Sequence, residues 1–130
     1  MSKVSFDFDS TLTVDVVQNL AKRLVKEGHE VWIVTSRFEF TDSSGNKCNN
    51  DDLFEIAFEI GIPFDRIHFC NMDDKYNFLK DKNFLWHLDD DFIELSLIRS
   101  ETNIFPIWRI KRNDWYNECL DLIRILETKR

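Results

Sequence analysis

The chain has 130 residues, a length that fits one domain, 1–130, with a hydrophobic core of useful size. Its net charge of −7 makes it a poor general binder of polyanions, and its 3 glycines are too few for a glycine-rich phosphate loop. The 3 cysteines lack CxxC spacing, and no segment has the length of a membrane span or the pattern of a signal peptide. We therefore expect a cytoplasmic protein with reduced thiols, no membrane partner and no evident obligate protein partner.

Segments typical of strands alternate with segments typical of helices along the chain. Strands are predicted in short, continuously apolar runs, and helices where apolar residues recur every three or four positions. In chain order, the predicted elements are a strand in 3–8, a helix in 14–28, a strand in 30–35, a helix in 49–63, a strand in 66–70, a short helix in 73–82, a strand in 83–88, a helix in 90–100, a strand in 102–107 and a helix in 112–130. This alternation predicts an α/β fold, a three-layer Rossmann-like parallel five-stranded sheet with helices on both faces. Pro106 places the fifth strand at a sheet edge, because proline cannot donate to a ladder.

Polar and charged residues follow each predicted strand. In open parallel sheets, ligands bind outside the carboxyl ends of the strands, so these residues are the candidate site. They are Asp7 and Asp9 at the end of the first strand, Thr35, Ser36 and Arg37 at the end of the second, Lys75 after the third, Asp89, Asp90 and Asp91 at the end of the fourth, and Arg109, Lys111 and Arg112 after the fifth.

The residue types at these positions suit phosphoryl transfer. Carboxylates that meet from two strands repel one another, and Mg²⁺, which favours oxygen ligands and substrate phosphate, would remove that cost. A carboxylate facing such a phosphate can act as a nucleophile and form an aspartyl-phosphate. A second acid can protonate the leaving oxygen and then activate water, while a hydroxyl and a lysine hold the other phosphoryl oxygens.

Four segments, in this order, resemble the motifs of a known family. DFDST at 7–11 matches the signature DxDx[TV], and VWIVTSR at 31–37 is similar to a second motif, a strand that ends in Thr or Ser. Lys75 is similar to a third-motif lysine, and FLWHLDDD at 84–91 is similar to a fourth motif, an apolar strand that ends in paired acids. Over residues 4–91, the chain therefore resembles the haloacid dehalogenase-like phosphohydrolases. The segments that hold cap domains in that family are short here, so the resemblance is to a small type with no cap domain.

The resemblance implies a role for each matched residue. Asp7 is the nucleophile and a metal ligand, and Asp9 is the general acid and base, whose backbone carbonyl also contacts the metal. Thr35 holds a phosphoryl oxygen, and Lys75 offsets the charge on Asp7 and on the phosphate.

The fourth motif completes the implied Mg²⁺ site. By resemblance, Asp89 is its metal ligand and Asp90 supports the site directly or through water. Thr11 is expected to form a local hydrogen bond that holds the loop after the first strand.

Several of these residues have a purely structural alternative. Asp7 and Asp9 fit a cap and turn, and Thr35 fits an N-cap hydroxyl. Any of Lys75, Lys80 and Lys82 could be a solvated helix lysine. Asp91 is interpreted as the N-cap of the following helix rather than as a site residue.

The cations and Ser36 form the candidate substrate-binding set. Arg37 could hold a substrate phosphate or pair with a nearby acid, and Arg109, Lys111 and Arg112 could be a substrate patch or a solvated turn. The polar loop 37–50 is expected to border the site.

The function expected from the sequence is a Mg²⁺-dependent phosphomonoester hydrolase that acts through an aspartyl-phosphate. Its expected partner is a phosphorylated small molecule, such as a nucleotide, or a nucleic-acid end. A phosphotransferase and a non-catalytic binding or regulatory protein remain as alternatives.

Overall fold

In a computed structural model, which describes residues 1–110 and 113–129, five parallel strands form a single sheet. The strands are β1 (Lys3–Phe6), β2 (Glu30–Thr35), β3 (Ile67–Phe69), β4 (Trp86–Asp89) and β5 (Phe105–Trp108), in the order β3-β2-β1-β4-β5. The predicted α/β fold with a five-stranded parallel sheet is confirmed. As Pro106 indicated, β5 lies at an edge of the sheet.

Helices cover both faces of the sheet. They are α1 (Asp15–Lys26), α2 (Asp51–Ile60), α3 (Lys75–Leu79), α4 (Phe92–Glu101) and α5 (Trp115–Thr128). Buried side chains of α1, α2 and α5 pack in one core, and those of α3 and α4 pack in a second. Within 1–110 and 113–129, no helix combines the length and apolar character needed to cross a bilayer.

Two predicted elements are shorter than expected for a backbone reason. The predicted strand at 83–88 begins at Trp86, because Asn83 has a φ of 65° and leaves the extended region. Asp81 has a φ of 61°, so it cannot continue a helix, and α3 ends at Leu79 rather than at 82.

Alternation along β1 and β4 places polar residues on one face of the sheet. Successive strand side chains lie on opposite faces, so Ser5 and Asp7 share a face, as do His87 and Asp89. The register of the two strands pairs Ser5 with His87. This is the face that carries α3, since Lys75 contacts both aspartates, and four polar side chains therefore converge beneath that helix.

A tight turn, Phe8–Leu12, follows β1 and shapes the edge of the site. The backbone N–H of Asp7 still donates to the carbonyl of Leu88, and the chain then bends at Ser10, whose φ is 60°. The hydroxyl of Thr11 donates to Oδ2 of Asp7 at 3.3 Å, which is the kind of local bond expected for Thr11. The turn thereby presents Asp9 and Ser10 at the carboxyl edge of the sheet.

Candidate active site

The ammonium of Lys75 lies between two buried carboxylates. Its Nζ atom is 2.7 Å from Oδ1 of Asp7 and 2.6 Å from Oδ2 of Asp89, and the lysine side chain is 2% exposed. The three residues come from the start of α3, the end of β1 and the end of β4. Lys80 and Lys82, the other lysines considered from the sequence, are exposed. Of the three lysines, Lys75 is therefore the one that neutralises the two strand-end acids.

Four donors hold the carboxylate of Asp89. Its Oδ1 accepts hydrogen bonds from the backbone N–H groups of Asp90 and Asp91 at 2.8 and 3.0 Å. Its Oδ2 accepts one hydrogen bond from Nζ of Lys75 and one from Nε2 of His87 at 2.8 Å. Nδ1 of His87 lies 2.8 Å from the hydroxyl of Ser5. Ser5, His87 and Asp89 are each 0% exposed. These four donors hold the carboxylate in one position.

The charges in this network shift the pKa values of its members. Burial raises the pKa of Asp7 to about 9, and the negative charge of Asp89 adds to the rise against the lowering effect of Lys75. Burial also opposes ionisation of Asp89, but the hydrogen bond from His87 and the charge and hydrogen bond of Lys75 outweigh it and hold that pKa well below its ordinary value. Burial lowers the pKa of His87, so the ring is neutral, donates through Nε2 and accepts from Ser5. Without a metal, the site therefore keeps a proton on Asp7.

Three carboxylates form a set that fits a hard divalent cation. Asp7, Asp89 and Asp90 each place an oxygen within 4.8 Å of the others, and oxygen donors of this kind are what Mg²⁺ binds. Burial, followed by the charge of Asp89, raises the pKa of Asp7, so a cation at this point would stabilise its ionised form. Asp89 already accepts four hydrogen bonds, whereas the carboxylate of the half-buried Asp90 lies within hydrogen-bonding reach of Asp7. Asp7 and Asp90 are therefore the more available ligands.

Asp91, in contrast, caps a helix. Its Oδ1 accepts the backbone N–H groups of Ile93 and Glu94 at 2.9 and 3.3 Å, as the sequence predicted.

Asp9 is clamped by Arg37 at the mouth of the site. Nε and Nη2 of Arg37 lie 3.0 and 2.7 Å from the two oxygens of Asp9, and the same guanidinium makes bonds of 2.8 and 2.9 Å to Asp52. Asn50 accepts a further bond at 3.2 Å, and the guanidinium carbon lies 4.8 Å from the ring centre of Phe8. Of its two sequence alternatives, Arg37 thus pairs with nearby acids, one of which is a candidate catalytic residue.

A cavity of about 540 Å³ opens above these groups. It is lined by Asp7, Asp9, Ser10, Ser36, Lys75, Asp89, Asp90, Asp91, Phe92 and Ile93. Thr35 is 0% exposed, and its hydroxyl oxygen accepts the backbone N–H of Arg37 at 3.2 Å. At the end of β2, the hydroxyl that lines the cavity therefore belongs to Ser36.

No family model, curated protein or solved structure matches this chain. The geometry of the side chains at the sheet edge therefore carries the functional argument.

The cationic cluster after β5 is described in part. Nε of Arg109 donates to the carbonyl of Ser10 at 3.0 Å, so Arg109 ties the end of β5 to the turn after β1. Lys111 and Arg112, the other two residues of the predicted substrate patch, lie outside the described residues.

Sequence reasoning missed the residues that support the candidate site. Ser5 and His87 are polar residues inside apolar strand segments, and that interruption is a signal that the sequence does contain. Asn50 and Asp52 carry no comparable signal, because acidic and amide residues at a helix start are ordinary caps. Their contact with Arg37 arises from the packing of α2 beside the end of β2.

Proposed function

We propose that this chain is a Mg²⁺-dependent phosphomonoester hydrolase of the haloacid dehalogenase-like type, which acts through an aspartyl-phosphate on Asp7. The observation that carries the proposal is the buried Asp7–Lys75–Asp89 bridge beneath a cavity that Asp9 and Asp90 also line. A purely structural salt bridge needs no cavity and no further carboxylates. Here five acids line one opening at the carboxyl edge of a parallel sheet, where ligands bind in such folds.

The chemistry follows from the positions of the acids. In its ionised form, Asp7 forms a bond from one oxygen to phosphorus while the bond from phosphorus to the leaving oxygen breaks. Asp9 gives a proton to that leaving oxygen, a proton that it can carry only when one of its two oxygens is free of Arg37. Asp9 then takes a proton from water, whose oxygen attacks phosphorus and releases the carboxylate of Asp7. Lys75 holds Asp7 in place and offsets negative charge as it develops.

The residues that would hold Mg²⁺ are Asp7 and Asp90, together with Asp89 and the backbone carbonyl of Asp9. When bound, the ion would neutralise charge on the phosphoryl oxygens of the substrate. Asp89 contributes mainly through Lys75, because its own oxygens already accept four hydrogen bonds.

Phosphate release with and without Mg²⁺ tests the proposal. We expect release from a panel of nucleotides, sugar phosphates and phosphorylated oligonucleotides, and loss of release when a chelator is added. Asp90→Asn should weaken the response to Mg²⁺ by at least ~10-fold, in keeping with the cost of disturbing metal ligation. The matched control is Asp91→Asn, since Asn caps a helix about as well as Asp and should leave the response unchanged.

A thermal melt provides a second readout of the same prediction. Because Asp7 must lose its proton to bind a cation, and its pKa is raised to about 9, the rise in Tm caused by Mg²⁺ should grow as the pH increases towards that value. If activity is unchanged by the chelator and the Tm is unchanged by Mg²⁺ and Mn²⁺, the proposed metal site is contradicted. Mg²⁺ binding without phosphate release from any ester would favour the binding-protein alternative, and transfer to an added alcohol would favour the phosphotransferase.

Arg37 is expected to act on the rate through Asp9. Arg37→Gln removes the fork that orients this acid, so kcat should fall about 10–100-fold while KM changes little. Asp52→Asn is the matched control, because it weakens the ion pair between Asp52 and Arg37 and leaves the hydrogen bonds from Arg37 to Asp9 in place. A rise in KM with kcat unchanged would instead assign Arg37 to substrate binding.

A further inference from the structure

One wall of the acidic cavity is apolar. Phe92 and Ile93, the first residues of α4, line the same cavity as Asp7 and Lys75, and they are 58% and 70% exposed. Single exposed apolar residues are common on protein surfaces. Two adjacent ones on the wall of a phosphate site are different, because any ester that places its phosphate at Asp7 must pass its organic part along some wall of that cavity.

The ring of Phe92 is held in position from behind. It packs against Trp108, with ring centres 5.0 Å apart and a tilt of 42°, and Nε1 of Trp108 donates to the carbonyl of Asp90 at 3.2 Å. The aromatic pair is therefore tied to the backbone that carries a candidate metal ligand. A ring fixed in this way presents a preformed flat surface, which costs little conformational entropy when a ligand stacks on it.

The apolar wall continues into a second opening. Phe92 also lines a smaller cavity of about 240 Å³, together with Leu95, Ser96, Arg99, Pro106 and Trp108. Arg99 is exposed and has no ion-pair partner among residues 1–110 and 113–129. It lies two helical turns beyond Phe92, a rise of about 10 Å along α4. A cation thus stands beyond the aromatic surface on the side away from the acids.

We propose that Phe92 and Ile93 form a subsite for the base of a nucleotide whose phosphate lies at Asp7, an inference that rests on the proposed hydrolase function. A flat heteroaromatic base stacks on a phenyl ring over its whole face, whereas a sugar ring offers only a small patch of C–H groups between its hydroxyls. The base comes from a free nucleotide or from the end of an oligonucleotide. In the second case, Arg99 is placed to contact the next phosphate.

A substrate pair that differs only by the base tests this subsite. Adenosine 5′-monophosphate and ribose 5-phosphate carry the same phosphate on the same sugar, so the ratio of their kcat/KM values reports the base. We expect a ratio of about 10 or more in favour of the nucleotide, in keeping with the energy of one stacked base. Phe92→Ala should bring the ratio close to 1, and Phe92→Trp should restore it. Phe58→Ala is the control, since Phe58 is 86% exposed on α2 and does not line the cavity.

Equal kcat/KM values for the two wild-type substrates, or a ratio that Phe92→Ala leaves unchanged, would overturn the subsite while leaving the hydrolase proposal in place. If no ester releases phosphate, the hydrolase proposal fails, and titration calorimetry with the same two compounds decides the subsite by itself. Tighter binding of the nucleotide, lost in Phe92→Ala, would then support the subsite, and equal binding would overturn it.

A third substrate, an oligonucleotide, distinguishes a free nucleotide from a nucleic-acid end as the source of the base. If a 5′-phosphorylated oligonucleotide is preferred to adenosine 5′-monophosphate, and either Arg99→Gln or added salt removes the preference, the base belongs to a nucleic-acid end. If the mononucleotide is preferred and Arg99→Gln has no effect, the base belongs to a free nucleotide. These two results decide the source of the base, and the Phe92→Ala ratio decides the stacking surface.

Discussion

Asp7→Asn is expected to lower phosphate release by on the order of 10⁴-fold or more, because the amide cannot form the bond to phosphorus that the carboxylate forms. The fold should be retained. Asn has nearly the same shape as Asp, and its side-chain oxygen can still accept the hydrogen bond from Lys75 that Asp7 accepts at 2.7 Å. Phosphate release and far-UV circular dichroism, measured on the same preparation, check the two halves of this expectation.

In the presence of a chelator, Asp7→Asn is expected to raise the stability of the protein although it lowers activity. Burial and the charge of Asp89 raise the pKa of Asp7 from 3.8 to about 9 in the folded protein. Neutral Asp7 therefore contributes its full share to the free energy of unfolding below pH 3.8, and this contribution is lost as the pH rises through about 9. Asn has no proton to lose, and Asp89 is present in both proteins. The free energy of unfolding of Asp7→Asn should therefore exceed that of the wild type by an amount that grows with pH across this window.

Asp15→Asn is a suitable control for Asp7→Asn, because Asp15 is an exposed acid in the first turn of α1. It should change neither activity nor the pH dependence of unfolding. A folded Asp7→Asn protein with near-full activity would overturn the nucleophile assignment. A stability difference that shrinks as the pH rises would mean that Asp7 is ionised in the metal-free site.

Lys75→Met is expected to lower the free energy of unfolding by about 3–5 kcal/mol at neutral pH, the usual cost of removing one partner from a buried ion pair. Methionine fills much of the same volume, so the loss would come from charge rather than from a cavity. Asp89, which is 0% exposed and held ionised, would lose the 2.6 Å contact to its cation. Urea unfolding, followed by circular dichroism, measures the change.

Lys80→Met is the matched control, since Lys80 is an exposed lysine one residue beyond the same helix and should change stability by less than about 0.5 kcal/mol. A loss in Lys75→Met as small as in this control would show that the bridge contributes no more than an exposed salt bridge. In the double variant Lys75→Met/Asp89→Asn, part of the stability should return, because the stranded negative charge is gone.

The fold and the positions of the candidate acids could be predicted from the sequence. Apolar runs and helical spacing indicated a five-stranded parallel sheet, and Pro106 indicated which strand lies at an edge. The ends of β1 and β4 lie where apolar residues give way to acids, at Asp7 and Asp89. These features are local, since a strand or helix pattern depends on residues only a few positions apart.

The contacts that give the site its chemistry were decided by the tertiary structure. Lys75 lies 68 positions from Asp7 along the chain, and no local pattern distinguishes it from Lys80 before α3 packs on the sheet. The clamp of Arg37 on Asp9 likewise joins residues 28 positions apart. Burial of such groups, which sets their pKa values, exists only in the packed molecule.

By itself, the sequence of this protein determined the alternation of strands and helices and the presence of acids at one edge of the sheet, because periodicity and strand ends are properties of short segments. The tertiary structure decided that Lys75 and His87 both donate to Oδ2 of Asp89. It also decided that Phe92 forms a wall of the acidic cavity. Those outcomes depend on how α3 and α4 pack against the sheet, and that packing is a balance of many distant contacts that no short segment contains.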